Sequence, residues 1–147
     1  MPVYPLKGYS LSLPITDDRA APRISVTDFK RKVVYARLGG ELRVAGMADL
    51  SGTRAVIDGE RVDQLVDEVK ATFPRASDFR KLGPWCGMRP ATPKGMPVIG
   101  NTAYANLWLN VGHGALGFTL ALATGRILAD LAAGRPGRIP LEGFTLH

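Results

Sequence analysis

The sequence predicts an α+β fold with an antiparallel or mixed β-sheet, one β-hairpin, one mid-chain amphipathic helix and a long C-terminal helix. Three observations predict it. Strand-like segments come as a block at the start of the chain, one helical period follows it, and a strand, a glycine turn and a long apolar stretch come last. Strands in a block before helices, rather than alternating strand–helix units, point to a sheet built on antiparallel pairing.

The elements follow in order. Gly8-Tyr9-Ser10-Leu11-Ser12-Leu13 alternates with period two and is closed by Pro14, which predicts a strand. Residues 16–23 are polar and read as a loop, and Ile24-Ser25-Val26-Thr27 alternates again. Residues 32–38 and 41–45 are strand-like runs separated by Gly39-Gly40. Two glycines supply the positive φ angles of a tight turn, so a hairpin is expected there. Val62, Leu65, Val66, Val69 and Phe73 then share one helical face, opposite Asp63, Asp67, Glu68 and Lys70, and Pro74 stops the helix. Residues 83–100 hold four prolines and four glycines and are expected to be mostly irregular. Residues 106–111 read as a strand, and a helix from about 115 to 133 ends at Gly134 with Pro136 beyond.

Composition bounds the function classes. The chain of 147 residues is long enough for a hydrophobic core, and 46% hydrophobic residues argue against disorder. A single cysteine, Cys86, excludes an internal disulfide and a thiolate zinc cluster, and no metal site is expected. The net charge of +6 raises nucleic acid as a partner, but the basic residues are scattered and the densest run is Lys30-Arg31-Lys32. With no basic stripe and no interleaved aromatics, a solvated face is the expected role and nucleic-acid binding is not. Met1-Pro2-Val3-Tyr4-Pro5 shows no signal-peptide pattern. The apolar stretch 115–133 is interrupted by Thr119, Thr124, Gly125, Arg126 and Asp130, so it reads as a buried helix rather than a membrane span.

Gly112-His113-Gly114-Ala115-Leu116-Gly117 matches G-x-G-x-x-G between a strand and a helix. A dinucleotide fingerprint needs a further strand with an acidic residue about twenty positions on. Here Asp130 falls within the helix and the sequence soon ends, so that reading fails. What survives is a helix N-terminus opened by small residues, suited either to a flat ligand carrying partial negative charge or to tight packing of helix on sheet. His113 taken alone reads as a turn residue or a structural hydrogen-bonder.

Three segments together are more specific. They are Pro5-Leu6-Lys7-Gly8-Tyr9-Ser10, then Trp85-Cys86-Gly87-Met88-Arg89-Pro90-Ala91-Thr92-Pro93-Lys94-Gly95-Met96-Pro97-Val98-Ile99-Gly100, then Asn106-Leu107-Trp108-Leu109-Asn110-Val111-Gly112-His113-Gly114. In this order, with the run 42–50 and Gly52, the sequence resembles the D-amino-acid dehydrogenase small-subunit group of the FAD-dependent D-amino-acid oxidase superfamily, over essentially the whole chain.

The resemblance implies a set of roles. Arg89, in the Gly-x-Arg-Pro position, pairs with the substrate carboxylate, and a planar guanidinium suits that task through two parallel hydrogen bonds. Tyr9 and Met47 line the substrate side. Gly112, His113, Gly114, Leu116 and Gly117 contact the flavin, with Pro97, Val98, Ile99 and Gly100 beside it. A hydride passes from the α-carbon of a D-amino acid to FAD, giving a 2-oxo acid, and electrons go on to a respiratory acceptor. Residues 1–84 form part of the substrate-binding domain and residues 85–147 a flavin-facing segment, packed as one compact unit.

The resemblance also implies an incomplete FAD/NAD(P)-binding-type fold, because those enzymes begin with a Rossmann unit that has no counterpart here. A truncated reading frame, an excised piece or one part of a split protein is therefore expected, with FAD bound weakly or not at all and no turnover in isolation. Bare apolar surfaces would favour a homo-oligomer. The complete enzyme is expected to be cytoplasmic or peripheral to the inner face of the bacterial inner membrane. A non-enzymatic carboxylate-binding or assembly module of the same ancestry remains the alternative.

Overall fold

The computed structural model describes residues 1–137 and 139–146. Arg138 and His147, which the expected 85–147 segment includes, lie outside the described residues. The chain divides into two compact units, Lys7–Met88, and Met1–Leu6 together with Arg89–His147. They are called here the sheet unit and the turn unit.

The sheet unit holds most of a five-stranded sheet, β1 (Tyr4–Pro14), β2 (Val26–Asp28), β3 (Val33–Leu38), β4 (Glu41–Asp49) and β5 (Gly83–Ala91), in the order β2-β3-β4-β1-β5, with residues 4–6 of β1 and 89–91 of β5 counted in the turn unit. β1 pairs antiparallel with β4, β4 with β3, and β3 with β2. Alternation decides what the sheet buries. Tyr9, Leu11 and Leu13 of β1, Val33 and Tyr35 of β3, and Leu42 and Val44 of β4 all point into the core. The hairpin closes with Leu38 opposite Glu41. Of its two glycines only Gly39 takes a positive φ, +62°, where both were expected to.

Helix α1 (Gly59–Thr72) covers the apolar face of the sheet. It begins a few residues before the apolar period, because Asp58 caps it, its side chain accepting a hydrogen bond from the Glu60 amide at 3.0 Å. Leu65, Val66 and Val69 are buried, and Val62 and Phe73 pack at the margin. Tyr35 ties sheet to helix. Its ring meets Phe73 edge-on at 5.2 Å, and its hydroxyl reaches the Glu68 carbonyl (3.3 Å) and Thr72 Oγ1 (3.2 Å).

Residues 83–100 are not mostly irregular as expected: they contain β5 and β6 (Val98–Asn101). Proline removes a ladder donor, which is tolerated on an edge strand. β5 stands at the edge of its sheet, and both Pro84 and Pro90 are exposed.

In the turn unit, β6 pairs antiparallel with β7 (Trp108–Val111), Val98 opposite Val111 and Asn101 opposite Trp108. The Ile99 amide donates to the Phe144 carbonyl at 2.7 Å, so the chain's last stretch braces β6. A single 3₁₀ turn (Gly114–Leu116) leads into α2 (Gly117–Ala132), which packs on β6 and β7. Gly134 takes φ +65° just past the helix end.

The expected burial of this helix does not hold. Only Thr124 and Asp130 are buried, while Phe118 is 99% and Leu122 91% exposed. A 16-residue helix is about 24 Å long, and two four-residue strands can cover no more than one side of it. By length and composition Gly114–Ala132, with mean hydropathy 1.4, is apolar enough to cross a membrane. The ion-paired Arg126 and Asp130 lie within it.

Candidate functional site

The turn unit assembles the sequence-predicted ligand-facing residues from adjacent elements. β6 and β7 place Val98, Ile99 and Gly100 opposite Val111, Asn110 and Leu109, and β7 runs directly into Gly112-His113-Gly114. Gly112 must be glycine for two reasons. Its φ is +82°, and a Cβ there would lie 2.5 Å from Thr92 Cγ2 and 3.7 Å from the Pro97 Cα. The segment just before β6 and the turn carrying Gly112 therefore stand too close for a side chain at Gly112, the Thr92 methyl being nearest.

At Gly114, with φ +56°, a Cβ would meet nothing within 4 Å. The space above this backbone is open. Neither the 3₁₀ turn nor α2 has a side-chain cap at its start. The first amides of a helix lack intrahelical acceptors, and among the described residues no side chain caps those of α2, although the preceding 3₁₀ turn already engages the Leu116 amide with the His113 carbonyl at 3.0 Å. Open space, bare backbone and uncapped amides fit the polar edge of a flat ring such as flavin. His113 fixes the turn from within, its Nε2 lying 3.2 Å from the buried Thr124 Oγ1.

Arg89 lies in β5, half-buried, and belongs to the turn unit. An apolar cavity of about 240 Å³ in that unit is lined by Pro2, Thr92, Met96, Val98, Gly143 and Leu146 among others; of the expected flavin-side residues only Val98 lines it, and none of residues 112–117 does.

The two remaining candidates lie in the sheet unit. Tyr9 is 1% exposed and packs into the core beneath α1. Met47 sits at a β-bulge: β1 advances from Lys7 to Tyr9 while β4 advances from Asp49 to Gly46, an extra residue. The bulge gives Met47 a φ of +64°, a left-handed conformation that costs a side chain energy and re-aims it out of the ladder.

Sequence reading did not single out Lys7 or Thr124. Lys7 is buried, donates from Nζ to the Val56 carbonyl at 3.2 Å, and stands 5.5 Å from the centre of the Tyr9 ring. The Tyr9 hydroxyl is the main influence on it and holds its pKa above the usual 10.5, against the opposing effect of burial, with Cys86 and Asp49 adding to the rise. No pattern in the sequence marks Lys7 as buried. Thr124 had a signal: eleven residues after His113 is about three helical turns. Among the described residues, no group of three or more His, Cys, Asp or Glu side chains is placed to hold a metal.

Comparison with known proteins sets this geometry in a family. Residues 1–131 match the family model described as FAD dependent oxidoreductase. The chain is 50% identical over 144 residues to D-amino acid dehydrogenase 2 of Pseudomonas aeruginosa, covering 98% of this chain and 35% of that protein. It is 55% identical over 152 residues to D-amino acid dehydrogenase 2 of Ralstonia nicotianae, covering 98% and 36%. It thus spans about a third of the length of these curated relatives. Among solved structures, glycine oxidase from Geobacillus kaustophilus superposes with a TM-score of 0.90 at 22% identity, over 100% of this chain and 40% of that one. Iminodiacetate oxidase from Chelativorans superposes with 0.85 at 24% identity, over 98% and 40%. At such identities the structural likeness shows the fold alone, while the family match covers most of the residues described above. On that match, the chain belongs to the FAD-dependent oxidoreductase family.

Proposed function

We propose that this chain is the C-terminal share of a FAD-dependent D-amino acid dehydrogenase, providing the substrate-carboxylate grip and the surface that receives the flavin ring. The observation that carries the reading is identity of 50–55% to two D-amino acid dehydrogenases across 98% of the chain.

Each residue then has a task. Arg89 holds the substrate carboxylate through paired hydrogen bonds, which orients the α-carbon. Met47 shapes the substrate side, while Tyr9, 1% exposed and packed in the core, keeps a structural place rather than the substrate contact expected of it. Gly112, His113, Gly114, Leu116 and Gly117, with Pro97, Val98, Ile99 and Gly100, hold the ring, and the uncapped amides of α2 favour negative charge at its polar edge. FAD, when bound, supplies the acceptor for the hydride leaving the α-carbon, so no protein base is required for that transfer.

These residues by themselves hold FAD weakly or not at all, since they span only about a third of the length of the relatives they match. It covers its exposed apolar surface by self-association. The complete enzyme is cytoplasmic or rests on the inner face of the bacterial inner membrane and hands electrons to a respiratory acceptor.

The test is a hybrid in which this chain replaces the matching third of the Pseudomonas relative. We expect the hybrid to retain FAD and to oxidise D-amino acids with an artificial electron acceptor. Arg89→Ala in it should lower kcat/KM by at least about a hundredfold, in line with loss of a charge-assisted bidentate contact. A hybrid that folds and keeps its flavin, yet turns over no D-amino acid, would overturn the reading. Carboxylate binding by the chain without any flavin function would support the non-enzymatic module instead.

A further inference from the structure

The contact between His113 and Thr124 carries information about protons. Thr124 Oγ1 lies 3.0 Å from the Leu120 carbonyl, four residues back in α2, and 3.2 Å from His113 Nε2. A hydroxyl has one hydrogen, and inside a helix that hydrogen goes to the carbonyl four residues earlier. The His113 contact is then a hydrogen bond only if Nε2 carries the hydrogen and donates it to Oγ1. Thr124 is 5% exposed, so the hydroxyl has little access to water as a substitute partner.

We infer that His113 is a positioning residue, locked by Thr124 with its hydrogen on Nε2, and that the neutral ring therefore offers Nδ1 as a bare acceptor to a donor group of the ligand at the glycine turn. The backbone carbonyl of His113 accepts from the Leu116 amide at 3.0 Å, but its ring makes no hydrogen bond besides the one to Thr124 among the described residues, so Nδ1 is uncommitted. Among the described residues the bond to Thr124 is also the one side-chain hydrogen bond between residues 112–116 and α2, and neither helical start is capped by a side chain. It holds a turn whose glycines have no side chains of their own to fix it.

The ligand part of the inference rests on the flavin reading of this turn. The polar edge of an oxidised isoalloxazine presents an N3–H between two carbonyl oxygens. Backbone amides complement the oxygens and cannot complement the N–H, whereas a bare imidazole nitrogen can. His113 thereby selects a ring with a donor at that edge over one without it.

Nitrogen NMR tests both parts, the first of them in the chain by itself. Its two histidines, His113 and His147, are separated by a His147→Gln spectrum. At mildly alkaline pH, where imidazoles are neutral, two-bond ¹H–¹⁵N correlations should show His113 with a protonated Nε2 and a bare Nδ1. Thr124→Ser should keep this pattern and Thr124→Val should relax it toward the mixture of a free imidazole, the fold being checked by far-UV circular dichroism. A protonated Nδ1, or a free-imidazole mixture in the wild type and Thr124→Ser alike, overturns the lock even if Thr124→Val fails to fold.

The ligand probe, added to the FAD-stripped hybrid enzyme with ¹⁵N-labelled histidine and with His113 assigned by a His113→Gln spectrum, is lumiflavin, a ring without the ADP half, compared with its N3-methyl analogue. We expect lumiflavin to shift His113 Nδ1 and the methylated ring to bind about three- to tenfold more weakly, the scale of one lost hydrogen bond. Equal effects from both rings, or none from either, overturn the acceptor role. These readouts do not use turnover. Activity in the hybrid together with an unmoved Nδ1 would sink this inference and leave the proposed function standing; an inactive hybrid with a shifted Nδ1 would do the reverse.

Discussion

Backbone conformation at single residues separates what is strained from what is designed. Lys32 takes φ +58° on an exposed turn, and Met47 takes +64° at the bulge of β4. A left-handed conformation costs a non-glycine residue about 1 kcal/mol or more. Lys32→Gly should therefore stabilise the chain by up to about 1 kcal/mol, offset in part by the greater freedom of glycine in the unfolded state. Urea denaturation measures this, and a loss of stability would show that the Lys32 side chain does more than decorate the turn. Gly112→Ala should act oppositely, because left-handed strain and a 2.5 Å approach to Thr92 add together. We expect a loss of about 2–3 kcal/mol on the same assay. Gly112 was legible as a required glycine from its place between strand and helix. Met47 was not legible as strained, since an extra residue in one strand appears only when the register to its partner is known.

At the scale of elements, α2 is held at its C-terminal end by a buried carboxylate. Asp130 is 4% exposed and accepts from Arg135 Nε at 2.7 Å and from Arg126 Nε at 3.0 Å. The Arg135 contact chiefly, with Arg126, holds its pKa below the usual 3.8, outweighing the effect of burial. The sign follows from linkage: a carboxylate more acidic in the folded state contributes stability above pH 3.8, and loses it as pH falls through the depressed value. Asp130→Asn should lower Tm at neutral pH, and the gap to wild type should close on acidification below 3.8. A gap independent of pH would assign the residue a packing role only. In the sequence, Asp130 read merely as an interruption of an apolar run, because Arg135 meets it only after the chain has turned at the helix end. The prolines of residues 83–100 misled for a related reason. Their cost depends on whether a neighbouring strand needs their amides, and an edge strand makes no such demand on one side.

The whole molecule is marked by the open side of α2. Phe118 and Leu122, one helical turn apart, are almost wholly exposed, and Gly125 and Ala129 continue the same stripe. Apolar surface of this kind is usually covered. The isolated chain should therefore sediment as an oligomer, and the double change Phe118→Asp with Leu122→Asp should shift it toward monomer without loss of helical circular dichroism. A wild-type chain that is monomeric at millimolar concentration would rule out self-association through this face. In the hybrid enzyme the same double change tests whether the stripe is covered there as well, through loss of bound flavin.

Much was settled by the sequence itself. Alternation in β1, β3 and β4 and the helical period of α1 fixed the sheet unit's core, because burial in both elements follows from spacing along the chain. The glycine turn and the end of α2 at Gly134 were readable for the same reason: backbone angles near a glycine are local. The family resemblance rested on three separated motifs, and the comparisons agree with it over residues 1–131. Tertiary structure alone decided the strand character of β5, the exposure of α2, the bulge at Met47, and the partners of His113 and Asp130. Each depends on which surface stands opposite a residue, and that is a property of the folded neighbourhood, which spacing in one chain segment does not encode.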